Sequence, residues 1–100
     1  MRIISYRRLR EFYEEHPDSK SPLKTWYAAV KNADWKTFAD VRKTRPDADI
    51  YKDCTMFDIG GNKYRLIAWI NYRRHAVYVR AILTHSDYDK GKWKADCGSG

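Results

Sequence analysis

The stretch from Phe57 to Asp89 reads FDIGGNKYRLIAWINYRRHAVYVRAILTHSDYD and contains two strand-like runs joined by a short turn. No carboxylate lies between Asp58 and Asp87, although this interval carries lysine, arginine and histidine. Successive strand residues point to opposite faces of a sheet, so residues two apart share a face. A sheet face that gathers cations without carboxylates indicates an anionic ligand.

The first run, from Lys63 to Tyr72, has the alternation of a half-buried strand. One face carries Leu66, Ala68 and Ile70, and the other carries Lys63, Arg65 and Ile67. Gly60-Gly61-Asn62 precedes this run and suits a turn with positive φ. We therefore expect an antiparallel hairpin between Phe57–Ile59 and the first run.

The second run, from Ala76 to Leu83, is also a predicted strand. Its alternation places Val77, Val79, Ala81 and Leu83 on one face and Tyr78, Arg80 and Ile82 on the other. Arg65 and Arg80 are therefore set within strands and not on loops. A guanidinium held on a sheet face costs folding energy unless it is solvated or paired, so both arginines are candidates for a functional role.

The second run ends at Thr84-His85-Ser86-Asp87-Tyr88-Asp89, which has the pattern of a helix capping box. Thr84 would cap a short helix and Asp87 would reach back to it. The capping box does not explain His85 and Tyr88, which lie three residues apart and project from one face of a helical turn. These two residues remain candidates for chemistry.

The N-terminal half is predicted to be a scaffold. We expect a strand at Arg2–Ser5, a helix with Leu9 on its apolar face that ends before Pro17, and a loop at Asp47–Tyr51. A second helix, capped by Ser21, would place an apolar stripe against the sheet, consisting of Leu23, Trp26, Tyr27 and Val30. Further helical turns around Phe38 and Val41 would end before Pro46. The brief last helix does not favour a DNA-reading helix-turn-helix.

Length and composition predict one domain over residues 1–96 with a flexible end at 97–100. The net charge of +7 favours a polyanionic partner, although charge alone is a weak signal. No apolar run is long enough to cross a bilayer, and Met1-Arg2 is followed by no signal-peptide core, so we expect a cytoplasmic protein without a membrane role. Cys54 and Cys97 are expected to be free thiols.

Together these residues make the chain similar to the HigB family of toxins, which belongs to the RelE-like mRNA interferases. The resemblance rests on Phe57–Asn62, Arg65, Arg80, Thr84-His85 and Tyr88-Asp89. It implies an α+β, RelE-like fold, in which N-terminal helices pack on one face of a twisted antiparallel sheet and an RNA-cutting site lies on the open face. It further implies a toxin that cleaves mRNA on the translating ribosome and is held inactive by a HigA-type antitoxin with a helix-turn-helix.

The candidate residues can supply the chemistry of a metal-independent ribonuclease, which needs a base, an acid and cations for the transition state. His85 can transfer a proton near neutrality, while Arg65 and Arg80 can grip phosphate oxygens. Tyr88 could transfer a proton if nearby guanidinium charge lowered its pKa, or could stack on a base. The sequence does not decide which residue is the acid and which is the base.

Weaker candidates and alternatives remain open. Asn62 and Lys63 could hold the substrate backbone, and Arg73 and Arg74 could touch it from the turn between the runs. Arg65 could instead form a modest ion pair with Asp58. The three histidines and two cysteines do not form a metal-binding pattern, so no cofactor is predicted. The competing functions are a non-catalytic RNA-binding domain with stacking aromatics and a protein-interaction module.

Overall fold

The computed structural model describes residues 1–98. These residues form five strands, four α-helices and two short 3₁₀ turns, the latter at Pro17–Ser19 and Lys92–Asp96. The elements in chain order are β1 Arg2–Ile4, α1 Tyr6–Glu15, α2 Lys20–Lys31, α3 Phe38–Thr44, β2 Asp49–Tyr51, β3 Cys54–Ile59, β4 Tyr64–Asn71, β5 Ala76–Thr84 and α4 His85–Lys90. Among the described helices, none combines the length and apolarity needed to cross a membrane.

The five strands form one sheet in the order β1-β5-β4-β3-β2. The pairs β2–β3, β3–β4 and β4–β5 are antiparallel, which confirms the hairpin around Gly60 and Gly61. β1 pairs with β5 in parallel, so the sheet is mixed and not wholly antiparallel. The predicted loop at Asp47–Tyr51 is wrong, because Asp49–Tyr51 pairs with β3 as an edge strand.

The N-terminal helices α1, α2 and α3 cover one face of the sheet, as predicted. The buried residues of this core include Leu9 of α1, Trp26 of α2, Val41 of α3 and Leu66 of β4, all with 0% of their surface exposed. The second helix begins earlier than expected, because the chain enters it directly from the 3₁₀ turn. Ser21 is therefore not the cap; it lies inside α2.

A β-bulge in β5 changes which residues face the helices. Ile67 pairs with Ala81 and Ala68 pairs with Val79, so the intervening Arg80 has no partner on β4. Beyond this extra residue the alternation shifts by one position. The predicted faces are therefore wrong after Val79: Ile82 packs with the helix-face core, while Ala81 and Leu83 pack on the opposite face.

The opposite face of the sheet is partly covered by the C-terminal segment, which we define as residues 91–98. Trp93 and Cys97 are buried there against Met56 and Ile67. The sheet face that we expected to be open therefore carries a second, smaller hydrophobic cluster.

The cysteines correct another expectation, because Cys54 of β3 and Cys97 form a disulfide and are not free thiols. The two cysteines are 43 residues apart in the sequence, and only the folded chain brings them together. Gly98 is also attached, since its backbone N–H donates to the Asp53 carboxylate at 2.6 Å. Of the predicted flexible end at 97–100, Ser99 and Gly100 lie outside the described residues.

Removing the disulfide should lower the free energy of unfolding. We expect the double variant Cys54→Ala, Cys97→Ala to lose about 2–4 kcal/mol under oxidising conditions, because the bond restricts the unfolded chain. Urea unfolding with and without a reductant measures this difference. The reduced parent should match the reduced variant, and an unfolding midpoint of the parent that ignores the reductant would contradict the prediction.

Candidate active site

Arg65 lies at the centre of the candidate site, on β4, between Asp58 of β3 and Leu83 of β5. Only 14% of its side chain is exposed, and its Nε lies 3.0 Å from Asp58 Oδ1. Its terminal nitrogens donate to the Tyr64 carbonyl at 3.3 Å and to the side-chain oxygen of Asn62. These contacts fix the position of the guanidinium.

The guanidinium of Arg65 still has hydrogen-bonding capacity. Arginine has five N–H groups, of which two donate to Tyr64 and Asn62 while Nε faces Asp58. Each terminal nitrogen therefore keeps one N–H without an acceptor within residues 1–98. A fixed cation with two unused donors is suited to bind phosphate oxygens.

Tyr88 packs against Arg65 and against the C-terminal segment. The guanidinium carbon of Arg65 lies 5.1 Å from the centre of the Tyr88 ring, in a cation–π contact. Trp93 stacks on the same ring at 5.1 Å with 12° between the planes, and its Nε1 donates to the Tyr88 carbonyl at 3.0 Å. Sequence reasoning missed Trp93, whose only signal was its position five residues after Tyr88.

His85 begins α4 and is tied to the hairpin turn. Its backbone N–H donates to the Lys63 carbonyl at 3.1 Å, while Thr84 Oγ1 accepts from the backbone N–H of Asp87, as the predicted cap requires. Its ring Nδ1 lies 3.0 Å from Asp89 Oδ2, and 47% of the side chain is exposed. With Nδ1 held by a carboxylate, Nε2 is directed elsewhere and can exchange a proton.

Arg80 lies farther from this centre. It occupies the bulge of β5, three residues before Leu83, so its Cα is about 10 Å along the strand from the row that contains Arg65. Its side chain is exposed and donates to the carbonyl of Asp96 at 3.2 Å, while its own carbonyl accepts from Arg8. Arg80 therefore lies beside the C-terminal segment, apart from Arg65 and Tyr88.

Lys63 forms an ion pair with Asp18, which also accepts a hydrogen bond from the Tyr64 hydroxyl at 2.6 Å. Hydrogen bonds from Lys63 and Tyr64 hold the pKa of Asp18 below its ordinary value, and the same contact with Asp18 raises the pKa of Lys63. The ammonium therefore stays charged beside the hairpin turn. The partnership joins residues 45 positions apart, and the sequence carried no signal for it.

Arg73 and Arg74 are exposed in the turn between β4 and β5. This turn lies at the end of β4 remote from the hairpin turn at Gly60, with Arg65 near the opposite end. The structure thus groups Arg65, Tyr88, His85, Asn62 and Lys63 around one end of the sheet, and it places both turn arginines elsewhere.

A shallow groove of about 360 Å³ adjoins this group, between β5 and the C-terminal segment. Its lining includes Leu83, Lys90 and Lys92. The lining also includes the carboxylates Asp87 and Asp96, and Lys90 Nζ lies 3.7 Å from Asp87 Oδ1, so the groove is mixed in charge.

One group of potential metal ligands occurs within the described residues, where Asp53, Cys54 and Cys97 offer atoms within 4.8 Å of one another. Both sulfur atoms belong to the disulfide, so neither is a thiolate ligand in this state. The group lies on the disulfide side of the C-terminal segment and contributes no contact to Arg65 or His85.

The partly exposed carboxylate of Asp47, which accepts a hydrogen bond from the Asp58 backbone, predicts how acid affects stability. Partial burial raises the pKa of Asp47, but hydrogen bonds from Arg45 and from the Asp58 backbone outweigh it, and the pKa lies below its ordinary value of 3.8. A carboxyl group whose pKa is lower in the folded protein than in the unfolded chain stabilises the folded state. This stabilisation is complete at a pH above the unfolded pKa, and it is lost as the pH falls through the folded pKa. We therefore expect this contribution to stability to be present above about pH 4 and to be lost as the pH falls below that value.

The variant Asp47→Asn should flatten this acid dependence, because asparagine does not titrate. Urea unfolding of both proteins over the acid range measures the two slopes. Asp49, an exposed carboxylate two residues away, provides the matched control Asp49→Asn, which should keep the parent's slope. Identical slopes for Asp47→Asn and the parent would refute the assignment.

Comparison with known proteins places this geometry in a class. The family described as HigB toxin, RelE-like toxic component of a toxin–antitoxin system, matches residues 19–91. A protein of Escherichia coli O6:H1 named mRNA interferase HigB is 32% identical over 93 residues, which cover 90% of both chains. A protein of Escherichia coli K12 named mRNA interferase toxin HigB is 25% identical over 92 residues, covering 89% of this chain and 88% of that one.

The α+β fold, with N-terminal helices on one face of a mixed sheet, and this family match define the class as RelE-like toxins. Within that class, the chain belongs to the HigB toxin family.

Proposed function

We propose that this protein is the toxin of a toxin–antitoxin pair and acts as an endoribonuclease on mRNA. The curated relatives are named mRNA interferases, and this chain aligns with them over about nine tenths of its length. The single observation that carries the proposal for this chain is the contact between Arg65 of β4 and Tyr88 of α4, the helix that begins with His85. The guanidinium carbon of Arg65 lies 5.1 Å from the centre of the Tyr88 ring.

The proposed reaction begins with attack of a ribose 2′-hydroxyl on the adjacent phosphorus. His85 takes the hydroxyl proton through Nε2, while Asp89 holds Nδ1. The unused N–H groups of Arg65 bind the phosphate oxygens, where negative charge grows in the transition state. The bond to the 5′-oxygen then breaks while this oxygen accepts a proton, from the Tyr88 hydroxyl or from water. The products are a 2′,3′-cyclic phosphate on one fragment and a 5′-hydroxyl on the other.

Tyr88 has a supporting role in this scheme. Its ring is fixed between contacts with Arg65 and Trp93, so it can position the guanidinium or present its hydroxyl to the leaving oxygen. Asn62 and Lys63 hold the RNA backbone at the hairpin turn. Arg80 and the turn arginines Arg73 and Arg74 contact RNA farther from the scissile phosphate.

We further propose that cleavage occurs on translating ribosomes in the cytoplasm, and that the antitoxin is a HigA-type helix-turn-helix protein. The basic balance of the chain, with a net charge of +7, supports a partner made of RNA. An acidic antitoxin surface could cover the same cations and block the site.

The test is to incubate the purified protein with naked mRNA and with ribosomes programmed with the same mRNA. Primer extension maps new 5′ ends, and end-group analysis identifies cyclic phosphates. Cuts only on programmed ribosomes support the whole proposal, and cuts on naked mRNA support the nuclease without ribosome dependence. RNA that is bound in a salt-dependent way but stays intact in both reactions would replace the enzyme with a binding domain.

A further inference from the structure

A pair of aromatic side chains lies on the sheet face opposite the helices, outside the site described above. Trp69 of β4 and Tyr78 of β5 are direct neighbours in the register, with ring centres 5.2 Å apart and planes tilted by 39°. Both are half-buried, and neither packs in the helix-face core or in the cluster beneath Trp93. We call this pair the aromatic platform.

Exposed arginines surround the aromatic platform. Tyr78 pairs with Ile4 of β1, so Arg2, two residues earlier, shares its face with a Cα about 8 Å away at ordinary strand spacing. Arg80 follows Tyr78 by two residues. The exposed turn beyond β4 adds Arg73 and Arg74.

Two carboxylates near the aromatic platform, those of Asp53 and Asp34, have other partners. Asp53 precedes Cys54, the register partner of Trp69, and its Oδ1 accepts from the backbone of Gly98 at 2.6 Å. Asp34 lies 3.1 Å from the ring nitrogen of His75. Within residues 1–98, Arg2, Arg73 and Arg74 form no ion pair with a carboxylate, so their charge is available to a ligand.

We propose that the aromatic platform is a second binding subsite for single-stranded RNA, separate from the cleavage site. Unpaired bases stack on Trp69 and Tyr78, and phosphates contact Arg2 and the turn arginines. Stacking on aromatic rings combined with surrounding cations is the usual way in which proteins hold single strands without reading their sequence. A duplex offers no free base faces to such a surface.

The position of the platform favours RNA over a protein partner. Trp69 lies four residues from Arg65 on the same strand and the same face, or about 13 Å. Arg80 lies between Tyr78 and the start of α4 on β5, so one exposed cation lies between the platform and His85. An RNA strand cut at His85 can thus extend over the platform. This inference rests on the proposed function for its choice of ligand.

Tryptophan fluorescence can test the platform directly. Trp26, Trp35 and Trp93 are buried, with 0%, 1% and 7% of their surface exposed, whereas Trp69 is half-buried. Acrylamide should therefore quench chiefly Trp69. The probe is a single-stranded oligoribonucleotide of about 12 nucleotides, within the size range of single-strand sites. Binding is measured with the His85→Asn variant, so that the RNA stays intact.

We expect the oligoribonucleotide to protect the protein from acrylamide, and Trp69→Leu to abolish that protection. Trp69→Leu and Tyr78→Leu should each weaken binding roughly 5- to 150-fold, the range for loss of one base stack. Tyr78→Phe should bind normally because it keeps the ring. Arg42→Ala, an exposed arginine on α3, is the matched charge control and should bind like the parent.

Unchanged affinity in both leucine variants, with urea unfolding like that of the parent, would overturn the platform. If the leucine variants bind RNA normally but bind the antitoxin more weakly, the RNA subsite is also overturned, and the aromatic platform is assigned to a protein interface. Cleavage by the otherwise unaltered protein is measured in parallel. If the RNA stays intact but its binding depends on the platform, the nuclease proposal is refuted and the platform is not. If the RNA is cleaved but its binding does not depend on the platform, the platform is refuted and the nuclease proposal is not.

Discussion

Replacing His85 by asparagine should reduce the rate of RNA cleavage by about 10²- to 10⁴-fold, the usual contribution of a positioned proton-transfer group. Asparagine is similar in size but cannot exchange a proton near neutrality. The initial rate of appearance of new 5′ ends, measured on the substrate that the parent cleaves, gives the effect. Because 47% of the His85 side chain is exposed, the substitution should leave the free energy of unfolding nearly unchanged.

The chain contains a matched control for this experiment. His75 is 50% exposed, and its Nδ1 lies 3.1 Å from Asp34, much as His85 lies 3.0 Å from Asp89. His75 has φ of 54°, a conformation that asparagine tolerates, so His75→Asn should fold normally. His75→Asn should cleave at the parent's rate. Equal rates for the parent and His85→Asn would remove His85 from the chemistry.

Replacing Arg65 should be about as damaging, with cleavage falling roughly 10²- to 10³-fold for Arg65→Ala, the range for loss of one donor to a developing oxyanion. Arg65→Lys should recover little of this loss, because an ammonium cannot reproduce the planar fork that contacts Asp58, Asn62 and Tyr88 at once. The rate is measured as above, beside Arg42→Ala as the charge-matched control.

Arg65 also contributes to the stability of the fold, so the experiment must separate an effect on folding from an effect on catalysis. Arg65→Ala leaves Asp58 without its partner and should destabilise the chain. The double variant Arg65→Ala, Asp58→Ala removes both charges and should regain stability in urea unfolding while cleavage stays low. Recovery of cleavage together with stability would show that Arg65 is only structural.

The sequence was most informative where chemistry is local. The turn at Gly60-Gly61 and the cap at Thr84 are short-range features, and both form where predicted. The stripe of Leu23, Trp26 and Val30 is buried against the sheet because helical spacing alone puts these side chains on one face. The contact between His85 and Asp89, four residues apart on α4, is also local, although it was not predicted.

Predictions were wrong where distant segments decide the structure. The alternation along β5 assumed an unbroken ladder, and the bulge at Arg80 depends on how β4 pairs with it. Asp49–Tyr51 has little strand pattern and becomes a strand only because β3 offers an edge. Cys54 and Cys97 are too few and too far apart for the sequence to predict their bond.

By itself, the sequence determined the class of fold, the hairpin turn, the helix faces and the identity of the chemical groups, because periodicity, turn chemistry and side-chain type act over a few residues. Only the tertiary structure decided that Arg65 meets Tyr88, that Trp93 supports this ring, and that Arg80 stands apart on a bulge. These relations depend on strand register and on the path of the C-terminal segment. Both are set by the packing of the whole chain, which short-range patterns do not encode.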